Sequence, residues 1–190
     1  MPLARALLGR VLVRREGRRL LAGRIVEVEA YRGANDPASH AYRGPTPRNR
    51  VMFGPAGHAY VYFTYGMHHC VNVVAARAGI AEAVLLRALE PLAGQGRMRE
   101  RRGDVADMRL ARGPGCLAQA LGLTRADDGA DLVTGALWIA AAPCDRGGLR
   151  VARGPRVGIR AGTHHAWRFW LAGHPAVSGP RGAGAEHSGQ

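Results

Sequence analysis

Short runs in which apolar and polar residues alternate recur along the 190-residue chain, separated by glycine-containing turns. Alternation with a period of two is typical of half-buried β-strands. It predicts one strand over residues 10–14, after a short leucine-rich helix, and seven more over residues 23–31, 59–65, 70–75, 83–89, 137–141, 157–160 and 167–171. Helical spacing predicts helices over residues 92–102 and 115–121.

Successive strands joined by short glycine turns indicate a largely antiparallel sheet that curls toward a barrel. The predicted fold class is therefore α+β, richer in strand than in helix, with helices flanking the sheet. No fixed-period repeat and no long linker divides the chain, so one domain is expected over residues 1–178. Residues 179–190 are rich in Gly and Ala and are predicted to form a disordered tail.

The segment Tyr60-Val61-Tyr62-Phe63-Thr64-Tyr65-Gly66-Met67 is rich in aromatic residues and reverses at its glycine into a second apolar strand. This pattern predicts a protruding β-hairpin. Tyr65 and Met67 fall at its turn, where the fold does not require a bulky side chain. Two interpretations are open: the hairpin packs on the core, or it inserts into a DNA duplex, as do the wedges of proteins that extract a base.

The strand over residues 23–31 carries two glutamates and a tyrosine at alternate positions, Glu27, Glu29 and Tyr31. Alternate residues of a strand share a face, so these three side chains lie opposite the apolar residues 26, 28 and 30. A solvated face whose carboxylates pair with arginines is one interpretation. A catalytic carboxylate beside an aromatic ring is the other.

The chain carries 27 basic and 14 acidic side chains, a formal net charge of +13. All 27 basic residues are arginines, which bind phosphates bidentately and stack on bases, so a nucleic acid is the expected partner. The absence of lysine excludes a lysine Schiff base and a P-loop lysine. The loop over residues 46–50 combines two arginines with small polar residues and could hold a phosphate backbone.

Three widely spaced cysteines, Cys70, Cys116 and Cys144, form no C-x-x-C pair and suggest neither a zinc knuckle nor a disulfide framework. A reduced, cytosolic setting is expected, with no metal and no cofactor. No stretch of the sequence reads as a signal peptide or a membrane span, so no membrane partner is expected.

Taken together, these motifs closely resemble those of the alkyladenine DNA glycosylases, also called 3-methyladenine DNA glycosylases. The resemblance covers about residues 3–178. It rests on the runs over residues 27–33, 46–50, 60–67, 85–91, 113–121, 156–159 and 167–169, and on His40 and Asn72.

The resemblance implies a monofunctional enzyme of base excision repair. In it, Glu29 activates the water that attacks C1′ of a flipped nucleotide, and Tyr65 enters the vacated stack with Met67 beside it in the minor groove. The implied base pocket consists of Tyr31, His40, Tyr62, Asn72 and Arg87. The expected contacts with the DNA backbone are Thr46, Arg48, Arg50, Arg112 and Gly115.

The implied partner is double-stranded DNA with damaged purines (3-methyladenine, 7-methylguanine, hypoxanthine or ethenoadenine), bound by a monomer. Such a protein is expected in the cytoplasm on the nucleoid of a prokaryote, or otherwise in a nucleus. Two features depart from the family: Cys116, where many relatives carry lysine, and the pair His68-His69. A non-enzymatic damaged-DNA-binding module, and a nuclease that uses the acidic loop over residues 127–131, are the competing interpretations.

Overall fold

A computed structural model describes residues 2–141 and 148–179. Within these two ranges, eight strands and four α-helices follow one another. The strands are β1 Val11–Glu16, β2 Arg19–Tyr31, β3 Ala59–Thr64, β4 His68–Val74, β5 Ala83–Ala93, β6 Leu137–Ala140, β7 Val151–Gly154 and β8 Arg168–Leu171. The helices are α1 Pro2–Leu7, α2 Gln95–Arg102, α3 Asp107–Leu110 and α4 Pro114–Leu121, with 3₁₀ turns at Gly33–Asn35, Arg50–Phe53 and Arg125–Asp127.

All the described strand pairs are antiparallel and belong to one sheet in the order β3-β4-β5-β2-β1-β6, with β8 joined to β2 and β7. The 13-residue β2 is its axis: β5 runs along one edge, and β1 and then β8 pair along the other. Register shifts between β2 and β5 occur at Ala22/Gly23 and on both sides of Glu27. Such bulges bend a strand and increase its twist, which lets the sheet curl. The α+β prediction with a curled, antiparallel sheet is confirmed.

The main core fills the inside of this curl. Val26, Val28 and Leu86 are completely buried in it, together with the apolar faces of α1 and α4. A second, smaller cluster lies under β3 and contains the fully buried Tyr60 and Met52. The apolar residues of β2 therefore lie on the core side, as their alternation predicted.

The predicted strand over residues 157–160 is wrong. Gly158 has a φ of +75°, outside the β region, and the amide of Val157 bonds to a carboxylate of β2 instead of a neighbouring strand. This segment is a loop. The strand that precedes β8 and pairs with it is β7, which begins six residues before the predicted start at residue 157. The apolar alternation of the loop reflects burial against the site described below.

Two predicted boundaries also shift. The helix expected from residue 92 begins at Gln95, because Ala93 still pairs with Ala22 and the left-handed Gly94 ends the strand. Strand β2 begins at Arg19, because β1 and β2 close through a tight turn at Gly17. The predicted tail lies outside the described residues from position 180 onward. Within the described ranges, no helix has the length and apolar character to cross a bilayer.

Candidate active site

A cavity of about 540 Å³ opens between the β3–β4 hairpin, the end of β2 and two loops, residues 37–40 and 157–161. The first residues of α4 complete its wall. It brings together eight of the residues predicted from the sequence. They are Glu29, Tyr31, His40, Tyr62, Tyr65, Asn72, Arg87 and Gly115.

Glu29 is completely buried from solvent and is one of the residues that line the cavity. Oε1 accepts a hydrogen bond of 2.7 Å from the amide of Val157 and lies 3.2 Å from a terminal nitrogen of Arg87. Oε2 accepts a 3.0 Å hydrogen bond from the hydroxyl of Tyr31. Because both oxygens act as acceptors, the arrangement suits an ionised carboxylate held in one orientation.

Glu27 is also completely buried but is absent from the cavity wall. Its Oε1 accepts hydrogen bonds from the Nε atoms of Arg87 (2.8 Å) and Arg168 (2.7 Å), and its Oε2 accepts one from the amide of Ser178 (2.6 Å). It therefore ties β5, β8 and the C-terminal segment to β2. The solvated-face interpretation of the two glutamates is wrong, although its arginine pairing is correct.

Arg87 links the two glutamates, because its Nε bonds to Glu27 while NH1 faces Glu29. Together with Arg168 it balances the two carboxylates, so the buried cluster has no net formal charge. This balance offsets the cost of burying four ionised groups, and each pair remains well bonded.

Aromatic rings form the wall beside Glu29. The Tyr62 ring stacks on Tyr60, with centroids 5.4 Å apart, and meets the His40 ring edge-on at 4.5 Å. The His40 Nδ1 shares a 3.0 Å hydrogen bond with the Tyr60 hydroxyl. Tyr31, His40 and Tyr62 thus line one cavity, and their role in holding a base stays a prediction.

Burial keeps these groups uncharged. It raises the pKa of Tyr31, to which the charge of Glu29 and its hydrogen bond add, so Tyr31 stays a donor to that carboxylate. Burial likewise raises the pKa of Tyr62, and that of Tyr60 to about 12. Desolvation, and then the nearby Arg48 charge, lower the pKa of His40, which favours a neutral imidazole in the pocket.

The tip of the hairpin projects into solvent. Tyr65 is 81% exposed and Met67 69% exposed, so the turn does not pack on the core. The amide of Met67 bonds to the carbonyl of Thr64, and the two central residues, Tyr65 and Gly66, have φ values of +51° and +65°. Two positive φ angles are the signature of a type I′ turn. Tyr65 is the one non-glycine residue of the described chain with a positive φ.

Asn72 lies on β4 directly across from Tyr60. Its side-chain amide donates a 3.0 Å hydrogen bond to the Tyr60 carbonyl, and the residue is 4% exposed, on the cavity wall. This bond fixes the amide plane, so Asn72 presents one defined polar edge to whatever occupies the cavity.

The predicted backbone-contact residues divide into two groups. In the first loop, Thr46 and Asn49 cap each other through side-chain hydrogen bonds, which gives Thr46 a role in shaping the loop. Arg48 lies over the Tyr62 ring at 5.5 Å and donates to the Phe63 carbonyl, so it braces the hairpin. Arg50 is exposed at the start of a 3₁₀ turn. Thr46, Arg48 and Arg50 all lie outside the cavity lining.

The second group lies at α4. Arg112 donates through Nε to the Val177 carbonyl and stands outside the cavity wall. Gly115 lies on that wall, where a Cβ atom would come 2.8 Å from the His68 ring, so glycine permits the close approach of helix and hairpin. Cys116 accepts a hydrogen bond from Arg102.

The acidic loop is accounted for by structural contacts. Asp127 pairs with Arg14, Asp128 accepts from the amide of Val61, and Asp131 bonds to Thr134. Among residues 2–141 and 148–179, no group of three or more His, Cys, Asp or Glu side chains could hold a metal ion. Nothing in this loop favours the nuclease interpretation.

Sequence reasoning missed two contributors to the site. The Val157 amide is a backbone donor, which leaves no signal in the side-chain pattern. The buried pair of Asp36 and Arg156 joins residues 120 positions apart, a separation that spacing rules cannot detect.

Comparison with known proteins identifies the family of this chain. Residues 1–175 match the family model described as methylpurine-DNA glycosylase. A protein of Burkholderia lata is 52% identical over 181 residues, which cover 92% of this chain and 84% of that protein. A protein of Frankia casuarinae is 52% identical (85% and 81% covered), and one of Chlorobaculum tepidum is 49% identical (93% and 84%). All three are named "Putative 3-methyladenine DNA glycosylase".

The family match spans nearly the whole chain, and the relatives are far more than 30% identical over most of their length. The predicted resemblance is therefore confirmed, as is the prediction of an enzyme of the DNA glycosylase class, a hydrolase that acts on N-glycosyl bonds with DNA as its substrate. On this evidence the chain belongs to the methylpurine-DNA glycosylase family.

Proposed function

We propose that this protein is a monofunctional DNA glycosylase, which turns a damaged purine out of the duplex into the cavity and hydrolyses its N-glycosidic bond with a water activated by Glu29. The observation that carries the proposal is a fully buried, singly oriented carboxylate on the wall of an aromatic cavity. The cavity volume of about 540 Å³ falls within the range of small-ligand pockets and has room for a purine nucleotide.

In the reaction, the water oxygen bonds to C1′ while the bond from C1′ to the purine nitrogen breaks, and its electron pair leaves with the base. Glu29 accepts the water proton, and the products are the free base and an abasic site. A positioned general base of this kind contributes about 10²- to 10⁴-fold in rate. The chain has no lysine to form a Schiff base with the sugar, which supports water as the nucleophile.

Selection of the damaged base follows from the rings. A purine methylated at N3 of adenine or N7 of guanine is cationic in DNA, whereas hypoxanthine and ethenoadenine are neutral. For the cationic bases, attraction to the faces of Tyr31 and Tyr62 contributes about 0.5–2 kcal/mol in a desolvated pocket. A neutral His40 adds no repulsion toward such a base. The same positive charge makes the base a better leaving group. Asn72 supplies the polar edge that discriminates against normal guanine.

The relatives' shared name points to 3-methyladenine as one substrate. We extend the proposed range to 7-methylguanine, hypoxanthine and ethenoadenine, all purines of similar size. Tyr65 fills the vacated stack and Met67 lies beside it in the minor groove, since both are exposed at the hairpin tip.

Binding to the duplex uses the arginine surplus. Arg50 and Arg112 contact phosphates directly in this proposal, the N-terminal amides near Gly115 contribute hydrogen-bond donors, and Thr46 and Arg48 hold the loop and hairpin in place. The protein acts as a monomer with its enzymatic domain over residues 1–178, in the bacterial cytoplasm in association with the nucleoid.

The experiment is single-turnover incubation with a duplex that contains one alkylated base or one hypoxanthine, for the native protein and for Glu29→Gln. Base release and strand breakage are read separately, with and without alkali. We expect native protein to release the base and breaks to appear only after alkali. Glu29→Gln is expected to bind the same duplex but to release base at least about 100-fold more slowly.

Glu90→Gln is the matched control, because Glu90 lies on β5 in the same sheet, pairs with Arg24 and lies outside the cavity. It is expected to release base at the native rate. Undiminished release by Glu29→Gln would refute its role as the base, and breaks without alkali would refute the monofunctional assignment. A native protein that binds damaged DNA without releasing any base would leave the non-enzymatic interpretation.

A further inference from the structure

Asp36 and Arg156 form a completely buried ion pair next to the cavity. The two terminal nitrogens of Arg156 bond to the two carboxylate oxygens of Asp36 at 2.5 and 2.8 Å, and neither side chain is exposed. This is the bidentate geometry that only arginine provides. Asp36 stands in the loop that leads to His40, whereas Arg156 comes from the segment between β7 and β8.

Arg156 contacts β2 at the residues around the proposed base. NH1 donates a 3.1 Å hydrogen bond to the carbonyl of Ala30, which lies between Glu29 and Tyr31 in the sequence. The guanidinium carbon lies over the Tyr31 ring, 4.6 Å from its centroid, and over the Trp167 ring at 5.0 Å. The planar cation therefore holds the Tyr31 ring by stacking and the adjacent backbone by a hydrogen bond.

The residue that follows Arg156 completes this arrangement. Val157 donates its amide to Oε1 of Glu29 at 2.7 Å, so the position of Arg156 fixes the direction of that donor. A displacement of about 1 Å at this point would misalign the carboxylate.

Asp36 acts on the opposite wall. It accepts hydrogen bonds from the backbone amides of Arg32 (3.2 Å) and Ala38 (3.1 Å), which closes the turn before the loop that carries His40. Residues 37–40 all line the cavity. One ion pair thus connects the carboxylate, the Tyr31 ring and the His40 loop.

Stability alone explains this pair poorly. A fully buried ion pair gains little net free energy, because desolvation offsets the attraction between its charges. The Nε atom of Arg156 is buried and has no hydrogen-bond partner among the described residues, a further cost. Two apolar side chains could fill the same space but could not form the hydrogen bonds that fix the two walls of the cavity and the adjacent backbone relative to each other.

We propose that Asp36 and Arg156 are positioning residues, which hold Glu29, Tyr31 and the His40 loop in the geometry that the reaction requires. The expected effect on the rate of base release rests on the proposed function, whereas the expected effect on the position of Glu29 does not. Neither residue is assigned to contact the substrate. Misplacement of a catalytic group by about 1 Å costs on the order of 100-fold in rate.

The main test is Arg156→Lys, which keeps the charge but loses the planar stack and the two-pronged pairing. We expect the single-turnover rate of base release to fall by about 10- to 100-fold at saturating protein, with affinity for undamaged duplex unchanged. In the DNA-free protein, hydrogen exchange of the Val157 amide should accelerate by at least about tenfold. All rates are compared at a temperature at which every variant is folded.

Two companion variants separate positioning from folding. Arg14→Lys makes the same substitution in an ion pair with Asp127, outside the cavity wall, and should change neither the rate of release nor the Val157 exchange. Asp36→Asn, which removes the charge and keeps one of the two acceptor oxygens that the turn amides use, should reproduce the effect of Arg156→Lys. The double variant should release base at about the rate of the slower single variant, because both substitutions disrupt the same ion pair.

The two proposals fail separately. Native rates and a protected Val157 amide in folded Arg156→Lys and Asp36→Asn would overturn the positioning role. An equal loss of base-release rate in Arg14→Lys would also overturn the positioning role, because it would show that the effect is a general destabilisation. If the native protein releases no base at all, the proposed function fails. Hydrogen exchange of the Val157 amide in the variants still decides whether the ion pair holds this amide in place to donate to Glu29.

Discussion

Replacement of Tyr65 by asparagine is expected to make the protein more stable and less active. Tyr65 has a φ of +51°, a conformation that costs a bulky L-residue about 1–2 kcal/mol, and its 81% exposed ring gains little from burial. Asparagine tolerates this region well, and asparagine followed by glycine is the preferred sequence of a type I′ turn. Tyr65→Asn should therefore gain about 1 kcal/mol.

For a domain of this size, 1 kcal/mol corresponds to an increase in Tm of about 2–4 °C. The loss of activity follows from stacking, since an aromatic ring against a base contributes about 1–3 kcal/mol. Its removal should slow base release at limiting protein by about 5- to 150-fold. The assays are thermal unfolding of the free protein and single-turnover release of base.

Tyr42→Asn is the stability control, because Tyr42 is also an exposed surface tyrosine but has no positive φ. Its Tm should not rise. A lower Tm for Tyr65→Asn would show that the ring stabilises the hairpin, and an unchanged rate of release would show that Tyr65 does not support the extruded nucleotide. Either result would refute the argument that the strain at this turn serves DNA binding.

Three further predictions concern the buried cluster, the pocket and the DNA surface. Glu27→Gln removes the charge that holds Arg87 and Arg168, so the free energy of unfolding should fall by about 3–5 kcal/mol in denaturant titration. Because the pKa of His40 is lowered in the folded protein, the unfolded chain binds a proton at His40 at a higher pH than the folded protein does. As the pH falls below about 6.5, the stability of the native protein should therefore decrease more than that of the His40→Gln variant, as measured by thermal unfolding. Arg50→Ala should reduce the salt dependence of duplex binding by about 0.9 in the slope of log K against log salt, and an unchanged slope would remove Arg50 from the interface.

The strands were predictable wherever apolar alternation reports burial against the sheet core. Residues 23–31, 59–64 and 83–89 lie in observed strands because one face of each is in the core, whereas Tyr65, predicted at the end of the second strand, lies in the hairpin turn. The same signal failed over residues 157–160, since Val157 is half-buried against the cavity and its amide serves a carboxylate instead of a strand. Alternation detects which side chains are buried but not where the backbone hydrogen bonds go.

The arginine surplus predicted a polyanionic partner, yet the charge is not freely available over the surface. Many arginines are held in ion pairs within the chain, and these include Arg14, Arg24, Arg87, Arg97, Arg99, Arg101, Arg156 and Arg168. Composition counts all of them equally. Only the three-dimensional contacts distinguish an arginine such as Arg168, buried against Glu27, from one such as Arg50 on the exposed rim.

The different roles of Glu27 and Glu29 could not be predicted from the sequence and follow only from their contacts in the folded protein. Strand periodicity gives both the same face, and both prove completely buried beside Arg87. Their difference arises from partners 141 and 151 positions away: Arg168 and the amide of Ser178 donate hydrogen bonds to Glu27 and make it a structural link. Glu29 instead receives donors from Tyr31 and Val157 at the edge of an open cavity. Glu29 lines the cavity in which the proposal places the water and the damaged base, whereas Glu27 does not, so position at the cavity, and not burial or charge, separates the candidate base from its neighbour.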